Sequence, residues 1–162
     1  MRDLAAEMGI KAASLYNHIA SKQEILWNII ISLAEEFTEE MKLIKASQKG
    51  AIGKLEDIIQ LHVHITSNNQ SGMASLNNDW MHLEDQLDYY LRLRSNYEDD
   101  FREIIQEGID RGELKNGNAE VMLFSILSTL RSLYVWIPKK EDLDTNQLAM
   151  NLNKVLIHGI SN

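Results

Sequence analysis

The stretch "RDLAAEMGIKAASLYNHIASKQEIL", Arg2 to Leu26, reads as two short helices around a glycine turn, followed by the start of a third helix. Apolar residues line one face of the first helix, and Gly9 ends it, because glycine adopts a left-handed backbone at little steric cost. Ser21 to Glu24 has the pattern of a capping box that begins the next helix. The stretch therefore predicts a helix-turn-helix.

In a helix-turn-helix, the second helix presents its exposed front to the major groove of DNA. Six side chains form that front here: Lys11, Ala12, Ala13, Ser14, Asn17 and His18. Lysine and serine reach base edges or phosphates, and an alanine methyl can meet a thymine methyl. Tyr16 and Lys22 suit phosphate oxygens, the first through a hydroxyl and the second through its positive charge. An ordinary helix–glycine–helix corner has the same spacing, so spacing alone leaves both interpretations open.

The wider stretch resembles the DNA-binding head of the TetR family of bacterial transcriptional regulators. The resemblance rests on Leu4-Ala5, Gly9-Ile10, Leu15-Tyr16, His18-Ile19, Lys22 and Ile25-Leu26. It implies that Tyr16 and Lys22 contact phosphates and that the front of the second helix reads the operator. It also implies an all-α fold, in which a helix-turn-helix head is joined to a helical ligand-binding and dimerisation body.

The sequence differs from the heads of this family at its N-terminal end. Family heads start with one further helix ahead of the position that corresponds to Arg2, and that first helix is apparently absent here. We expect a start assigned at an internal methionine, or a missing first segment, rather than a natural truncation. A head without this helix would expose Leu4, Met8 and Leu15 and would not fold stably alone. The alternative function is therefore a dimeric ligand-binding or interaction module that has lost DNA binding.

The composition agrees with an all-α chain and narrows the function. Its 162 residues are 44% apolar. They include one proline, so long helices can form. They include no cysteine, which excludes disulfides, zinc ribbons and thiol nucleophiles. No apolar run is long enough to span a membrane and no secretory signal is present, so we expect a cytoplasmic protein without a membrane partner. We expect no enzyme, no cofactor and no metal, because nucleophile, phosphate-loop and metal-spacing motifs are missing.

The net charge of −8 argues against a protein that coats nucleic acid nonspecifically. Residues 1–49 carry six Lys and Arg against seven Asp and Glu, and residues 50–162 carry ten against seventeen. The excess of acidic over basic residues therefore lies mainly in residues 50–162, the predicted body. DNA binding by the head must rest on a few placed contacts and on dimerisation.

Apolar spacing along the rest of the chain predicts a series of helices. The predicted segments are a helix from the Ser21 cap to about Lys45, a loop from Ser67 to Gly72, a helix from Leu83 to Arg111 capped by Gly112, an apolar helix from Ala119 to Ile137, and a last amphipathic helix. We predict that residues 1–45 form the head and connecting helix. Residues 46–162 would form the ligand-binding and dimerisation domain.

The long helix after Leu83 offers candidates for a ligand pocket. Arg94 falls on its apolar face, where a guanidinium must be paired or must bind an anion. It can pair with Glu98, one turn on, or with an acid on a neighbouring helix, or it can anchor a carboxylate, thioester or phosphate. Aromatic side chains and a histidine on an apolar stripe complete the candidate pocket, although each also fits core packing. The candidates are His62, Trp80, Tyr90, Arg94 and Tyr97.

The end of the chain bears on the ligand and on dimerisation. Residues 130–160 are similar to the branch of the family that senses acyl-CoA compounds, which favours an acyl-CoA or another hydrophobic anion as the small-molecule ligand. The helix from Ala119 is apolar on almost every face, which indicates burial on more than one side. The predicted dimer-interface residues are Leu123, Ile126, Leu127, Leu130, Tyr134, Leu148, Leu152 and Leu156.

Together these patterns predict a homodimeric transcriptional regulator, a repressor that binds palindromic double-stranded operator DNA. Two heads related by a two-fold axis would read half-sites about one helical turn apart. A ligand in the body would release the DNA if it favours one conformation by about 1–3 kcal/mol.

Overall fold

A computed structural model describes residues 22–137 and 144–159, which form helices joined by short turns. The helices are α1 (Lys22–Ala46), α2 (Ala51–Asn68), α3 (Gln70–Asn78), α4 (Leu87–Asp110), α5 (Ala119–Arg131), α6 (Leu133–Trp136) and α7 (Thr145–His158). Two 3₁₀ turns, Trp80–His82 and Glu84–Gln86, connect α3 to α4. No strand occurs in the described residues, and the predicted all-α fold is confirmed.

Most of the predicted helix-turn-helix lies outside the described residues. This holds for seven of the eight predicted DNA contacts: Lys11, Ala12, Ala13, Ser14, Tyr16, Asn17 and His18. Lys22 is described and is the first residue of α1. In the described parts of the chain, none of the helices is long and apolar enough to cross a membrane.

The predicted loop from Ser67 to Gly72 is wrong. Only Asn69 separates α2 from α3, and its side-chain Oδ1 accepts a hydrogen bond from the backbone N–H of Gly72 at 2.9 Å. Asparagine is a preferred N-cap because its side chain satisfies a backbone donor that the new helix leaves open. The polar composition that indicated a loop is therefore the signature of one helix starting directly after another.

Two other predicted helices are shorter than expected. The helix predicted from Leu83 begins with a 3₁₀ turn, in which Glu84 has a φ of +48°, and becomes α-helical at Leu87. The apolar helix predicted to run to Ile137 is interrupted at Ser132, which separates α5 from α6. The predicted cap at Gly112 is confirmed, since its φ of +74° is a conformation that favours glycine.

Two apolar clusters form the core. The larger one joins the second half of α1 to α2, α4, α5 and α7, and includes Phe37, Ile58, Phe101 and Leu130. The smaller one packs the first half of α1 against the 3₁₀ turns and the start of α4, through Ile30, Leu83 and Tyr90 among others. Leu76 of α3 packs against both clusters. One face of helix α1 is thus buried by two separate groups of side chains.

We predict that Gly108→Ala lowers the free energy of unfolding by about 1–3 kcal/mol, measured by urea denaturation. A Cβ at Gly108 of α4 would lie 2.5 Å from the Cβ of Ala51, which cannot rotate away. This overlap outweighs the helix propensity gained from alanine. The control is Gln106→Ala on the exposed side of the same helix, which should change stability by less than about 0.5 kcal/mol. Equal effects of the two substitutions would contradict the close approach of α4 and α2.

Candidate functional site

A cavity lies where the two apolar clusters meet. The cavity is open to solvent, and about 460 Å³ of empty space lies within it and in front of its opening. Its apolar wall comes from four helices and consists of Ala34, Phe37, Met73, Leu76, Leu93 and Leu127. Four of the five residues predicted for the ligand pocket also line it: His62, Tyr90, Arg94 and Tyr97. Its mostly apolar lining with a few polar groups is typical of small-molecule sites, and binding there stays a prediction.

Two arginines meet on one carboxylate at the edge of this cavity. Oε1 of Glu98 accepts hydrogen bonds from Nε of Arg94 at 3.0 Å and from Nη2 of Arg131 at 2.6 Å. Burial would raise the pKa of Glu98, but the hydrogen bonds from Arg131 and Arg94 outweigh it and lower that pKa below its usual value. The ion pair between Arg94 and Glu98, the structural alternative from the sequence, is therefore formed. Both arginines still line the cavity.

Arg131 was missed by sequence reasoning. It is the last residue of α5 and the one cation of that mostly apolar helix, and it reaches Glu98 on α4 across 33 positions of the chain. A lone cation in an apolar helix is a signal that it points to a partner or a ligand. Sequence alone could have marked Arg131 on that ground, but could not have chosen its partner.

His62 and Tyr97 form a buried pair on the cavity wall. Nε2 of His62 lies 2.8 Å from the hydroxyl of Tyr97, and the Phe37 ring packs against the imidazole with centroids 4.6 Å apart. Burial, with a smaller contribution from the charge of Arg131, lowers the pKa of His62 from 6.5 to about 3, so the ring is neutral. Burial raises the pKa of Tyr97 well above its usual value. Nδ1 of His62 has no hydrogen-bond partner among the described residues.

Trp80 does not line the cavity but stands directly behind it. Its ring stacks on Tyr90 with centroids 5.9 Å apart, and the guanidinium carbon of Arg94 lies 5.5 Å from its centroid. Such a cation over an aromatic face is attracted by the ring quadrupole. Trp80 therefore couples two residues of the cavity wall to the first 3₁₀ turn.

The same turns are tied to the start of α1. Nε2 of Gln23 donates hydrogen bonds to the backbone oxygen of His82 at 3.1 Å and to Oε1 of Glu84 at 2.5 Å. Lys22, the described member of the predicted DNA contacts, is exposed one residue earlier. A path of direct contacts thus leads from Arg94 through Trp80 and the turns to the first turn of α1.

Several predicted dimer-interface residues are buried within one protomer. Leu123, Ile126, Leu127 and Leu130 are at most 2% exposed, so they pack into the core of their own chain and leave no surface for a partner. Leu148 is buried as well, whereas Leu152 and Leu156 are half-buried. The hydroxyl of Tyr134 shares hydrogen bonds with the side chain of Asn78, at 3.0 and 3.2 Å. Four apolar residues on α5, α6 and α7 are instead exposed: Val121, Val135, Met150 and Val155.

Metal-binding side chains do not cluster in the part of the chain that the structure describes. No group of three or more His, Asp or Glu residues there could hold a metal ion. His62 is committed to Tyr97, and His64 is exposed and lies near the side chain of Asn68 at 3.1 Å.

Comparisons with known proteins bear on the fold and the family. A family model described as "Tetracyclin repressor-like, C-terminal domain" matches residues 48–160. The structure of the ketosteroid transcriptional regulator KstR2 of Mycobacterium tuberculosis is similar with a TM-score of 0.90 and 18% identity, covering 99% of this chain and 84% of that one. No curated protein matches this sequence.

Two further solved structures have the same fold. PfmR of Thermus thermophilus, a TetR family transcriptional regulator, has a TM-score of 0.84 and 19% identity, with 99% of this chain and 88% of that chain covered. AibR, crystallised with isovaleryl coenzyme A and operator DNA, has a TM-score of 0.77 and 18% identity, with 95% and 84% covered. At identities of 18% and 19%, these similarities show that the chain has the same fold as the solved structures.

We predict that acid destabilises the protein in part through His62. Its pKa is about 3 when folded and 6.5 when unfolded, so between these values the unfolded chain binds more protons and stability falls as the pH falls. From pH 7 to pH 5 this group alone removes about 2 kcal/mol. Urea denaturation at both pH values should show that the His62→Gln variant loses about that much less stability than the unsubstituted chain. An equal loss in both proteins would contradict a buried neutral imidazole.

Proposed function

Because this chain belongs to the TetR family of transcriptional regulators, we propose that it is a repressor that binds palindromic operator DNA as a homodimer and is released by a small molecule in its helical body. The family consists of transcription factors without enzymatic activity, so the chain is not an enzyme. In this proposal residues 1–45 are the head and connecting helix, and residues 46–162 sense the ligand and dimerise. The cavity beside Arg94 and Arg131 is the observation that carries it.

The ligand in this proposal is a hydrophobic anion, of which an acyl-CoA is one case. The apolar wall of the cavity would hold its body, and the two guanidinium groups would attract its charge. The structure of AibR with isovaleryl coenzyme A and operator DNA supports the idea that this fold accommodates both partners. The DNA contacts are the eight residues from Lys11 to Lys22 named above.

The contacts behind the cavity suggest how a ligand would act on the head. A ligand that draws Arg94 toward itself weakens the contact of that guanidinium with Trp80, which begins the first 3₁₀ turn. Gln23 ties the turns to α1, so a shift of the turns changes the position of the helix that leads to the head. Release of DNA then requires that the ligand favour the shifted state by about 1–3 kcal/mol.

The dimer interface in this proposal lies on the exposed faces of the helices that the sequence indicated. Val121, Val135, Met150 and Val155 are 49% to 74% exposed on α5, α6 and α7, where apolar side chains gain from burial against a second copy. The half-buried Leu152 and Leu156 and the side chain of Tyr134 would lie at its border. The fully buried leucines of α5 would support this surface from below.

We predict that the full chain selects a palindromic sequence from a random double-stranded DNA library. Lys22→Ala should weaken binding to every sequence and reduce the slope of log K against log salt by about one per protomer, since one phosphate contact is lost. Lys42→Ala is the matched control, because Lys42 is exposed near the far end of α1 and pairs with Glu39. Fluorescence anisotropy measures both.

Failure to select any sequence, with or without small molecules, would contradict the regulator and favour a binding module that does not contact DNA. An equal effect of the two lysine substitutions would contradict the placement of the DNA contacts near Lys22.

We predict that Val155→Asp converts the dimer to a monomer at micromolar concentration, because a carboxylate would be desolvated at the interface. Leu43→Asp serves as the control, since Leu43 is 66% exposed on α1, away from the proposed interface. Sedimentation velocity distinguishes the two states. A monomeric unsubstituted chain, or dissociation caused by both substitutions alike, would contradict the proposed interface.

We predict that Arg94→Gln accelerates amide hydrogen exchange in residues 80–86 and in the first turn of α1, because Trp80 loses its cation. Arg102→Gln is the matched control, since this arginine is on the same helix but pairs with Asp99 and Glu120. Exchange followed by mass spectrometry resolves both regions. Faster exchange confined to α4, or the same pattern in both variants, would contradict a link from the cavity to α1.

A further inference from the structure

The charged groups beside the cavity carry one net positive charge. Arg94 and Arg131 contribute two cations, and the Glu98 carboxylate that they share contributes one anion. Each guanidinium has five N–H donors and gives one of them to Glu98, so donors remain for a ligand. A ligand with one negative charge balances this cluster. A ligand with several would leave charge uncompensated in a half-buried space.

We assign to His62 the tautomer that is protonated on Nδ1, which adds a second, neutral donor. Within the described residues, the one hydrogen bond of the Tyr97 hydroxyl is to Nε2 of His62, and a buried hydroxyl is satisfied as a donor only if it gives its proton to that nitrogen. Nε2 then acts as an acceptor, which places the ring proton on Nδ1. Nδ1 is buried and has no acceptor among the described residues. An unpaired buried N–H is costly, so this position favours a ligand oxygen.

Arg131 and His62 both line the cavity. The positive charge of Arg131 also contributes, after burial, to lowering the pKa of His62. A carboxylate has two oxygens and can accept from two donors at once. Because Arg131 and His62 line one cavity, a carboxylate there is matched in chemistry to the guanidinium of the one and the neutral N–H of the other.

The size and charge of the surroundings limit the rest of the ligand. The cavity is bounded mainly by apolar side chains, which suits a compact apolar body. A nucleotide tail with several phosphates would carry more negative charge than the single net positive charge of the Arg94–Glu98–Arg131 cluster can balance. The carbonyl of a thioester is also uncharged and cannot balance the Arg94–Glu98–Arg131 cluster.

We propose that the cavity binds a compact monocarboxylate, whose carboxylate is held by Arg131 and by the Nδ1–H of His62. This inference rests on the proposed role of the cavity as the ligand site. It narrows the hydrophobic anion to a free acid and makes His62 a binding residue rather than a core residue.

The test is calorimetric titration of the full chain, without DNA, with two matched sets of compounds. The first set is octanoate, octanamide and octanoyl-CoA, and the second is 3-phenylpropanoate, its amide and its CoA thioester. We expect the acid of at least one set to bind at least about tenfold more tightly than its amide and its thioester, because only the acid pairs with the cluster.

Substitutions of His62 and Tyr97 test whether the Nδ1–H of His62 contacts the carboxylate. His62→Gln places an amide where Nε2 stood, which keeps an acceptor for Tyr97 but removes the donor at Nδ1, and should weaken binding of the acid about tenfold or more. Tyr97→Phe keeps the imidazole, which can still carry its proton on Nδ1, and should change binding less than about threefold. Arg102→Gln, outside the cavity, should have no effect. Thermal unfolding verifies that each variant is folded.

Three outcomes would overturn the inference: both acids fail to bind, the amide or the thioester binds as tightly as the acid in both sets, or His62→Gln leaves the affinity unchanged. Failure of the proposed regulatory function gives a different pattern of results. If an acid binds through His62 but no selected DNA responds to it, the inference stands and the regulatory mechanism is wrong. If octanoyl-CoA releases DNA and the acids do not bind, the regulator stands and the inference is wrong.

Discussion

Helix α1 is packed by two separate apolar clusters, and this constraint organises the described part of the chain. Its 25 residues span about 37 Å, with Ile30 and Ala34 in the smaller cluster and Phe37 and Met41 in the larger one. The cavity lies between the clusters, and the 3₁₀ turns bind Gln23 at the beginning of the same helix. Helix α1 therefore contributes to both the cavity wall and the contact with the 3₁₀ turns.

The polar groups of the cavity show that a structural contact and a binding role are compatible. An unpaired guanidinium in a half-buried space would be destabilising, and Glu98 removes most of that cost for Arg94 and Arg131 together. The cluster nevertheless keeps a net charge and unused donors. His62 is held by Tyr97 in the same way and keeps one nitrogen without a partner among the described residues. Each residue is thus already held by a protein partner, which would favour selective binding of the proposed ligand.

Helix α5 shows why an apolar helix does not by itself reveal its partner. Its sequence is apolar on almost every face, so periodicity alone could not divide it between the core of its own chain and a second copy. The structure turns Leu123, Ile126 and Leu130 into the core and leaves Val121 exposed. Which face is turned inward depends on how α5 packs against α4 and α2, and those contacts join residues far apart in the sequence.

The sequence by itself determined what local geometry controls. Helical periodicity predicted the long helices, Gly112 was predicted as a cap because of the backbone it permits, and Arg94 was placed one turn from Glu98 because the helical pitch makes i and i+4 neighbours. Tertiary structure alone decided that Arg131 completes the pair with Glu98 and that His62 meets Tyr97 from another helix. These contacts between side chains depend on the packing of whole helices, in which many small contacts together select one arrangement. No short stretch of sequence contains that information.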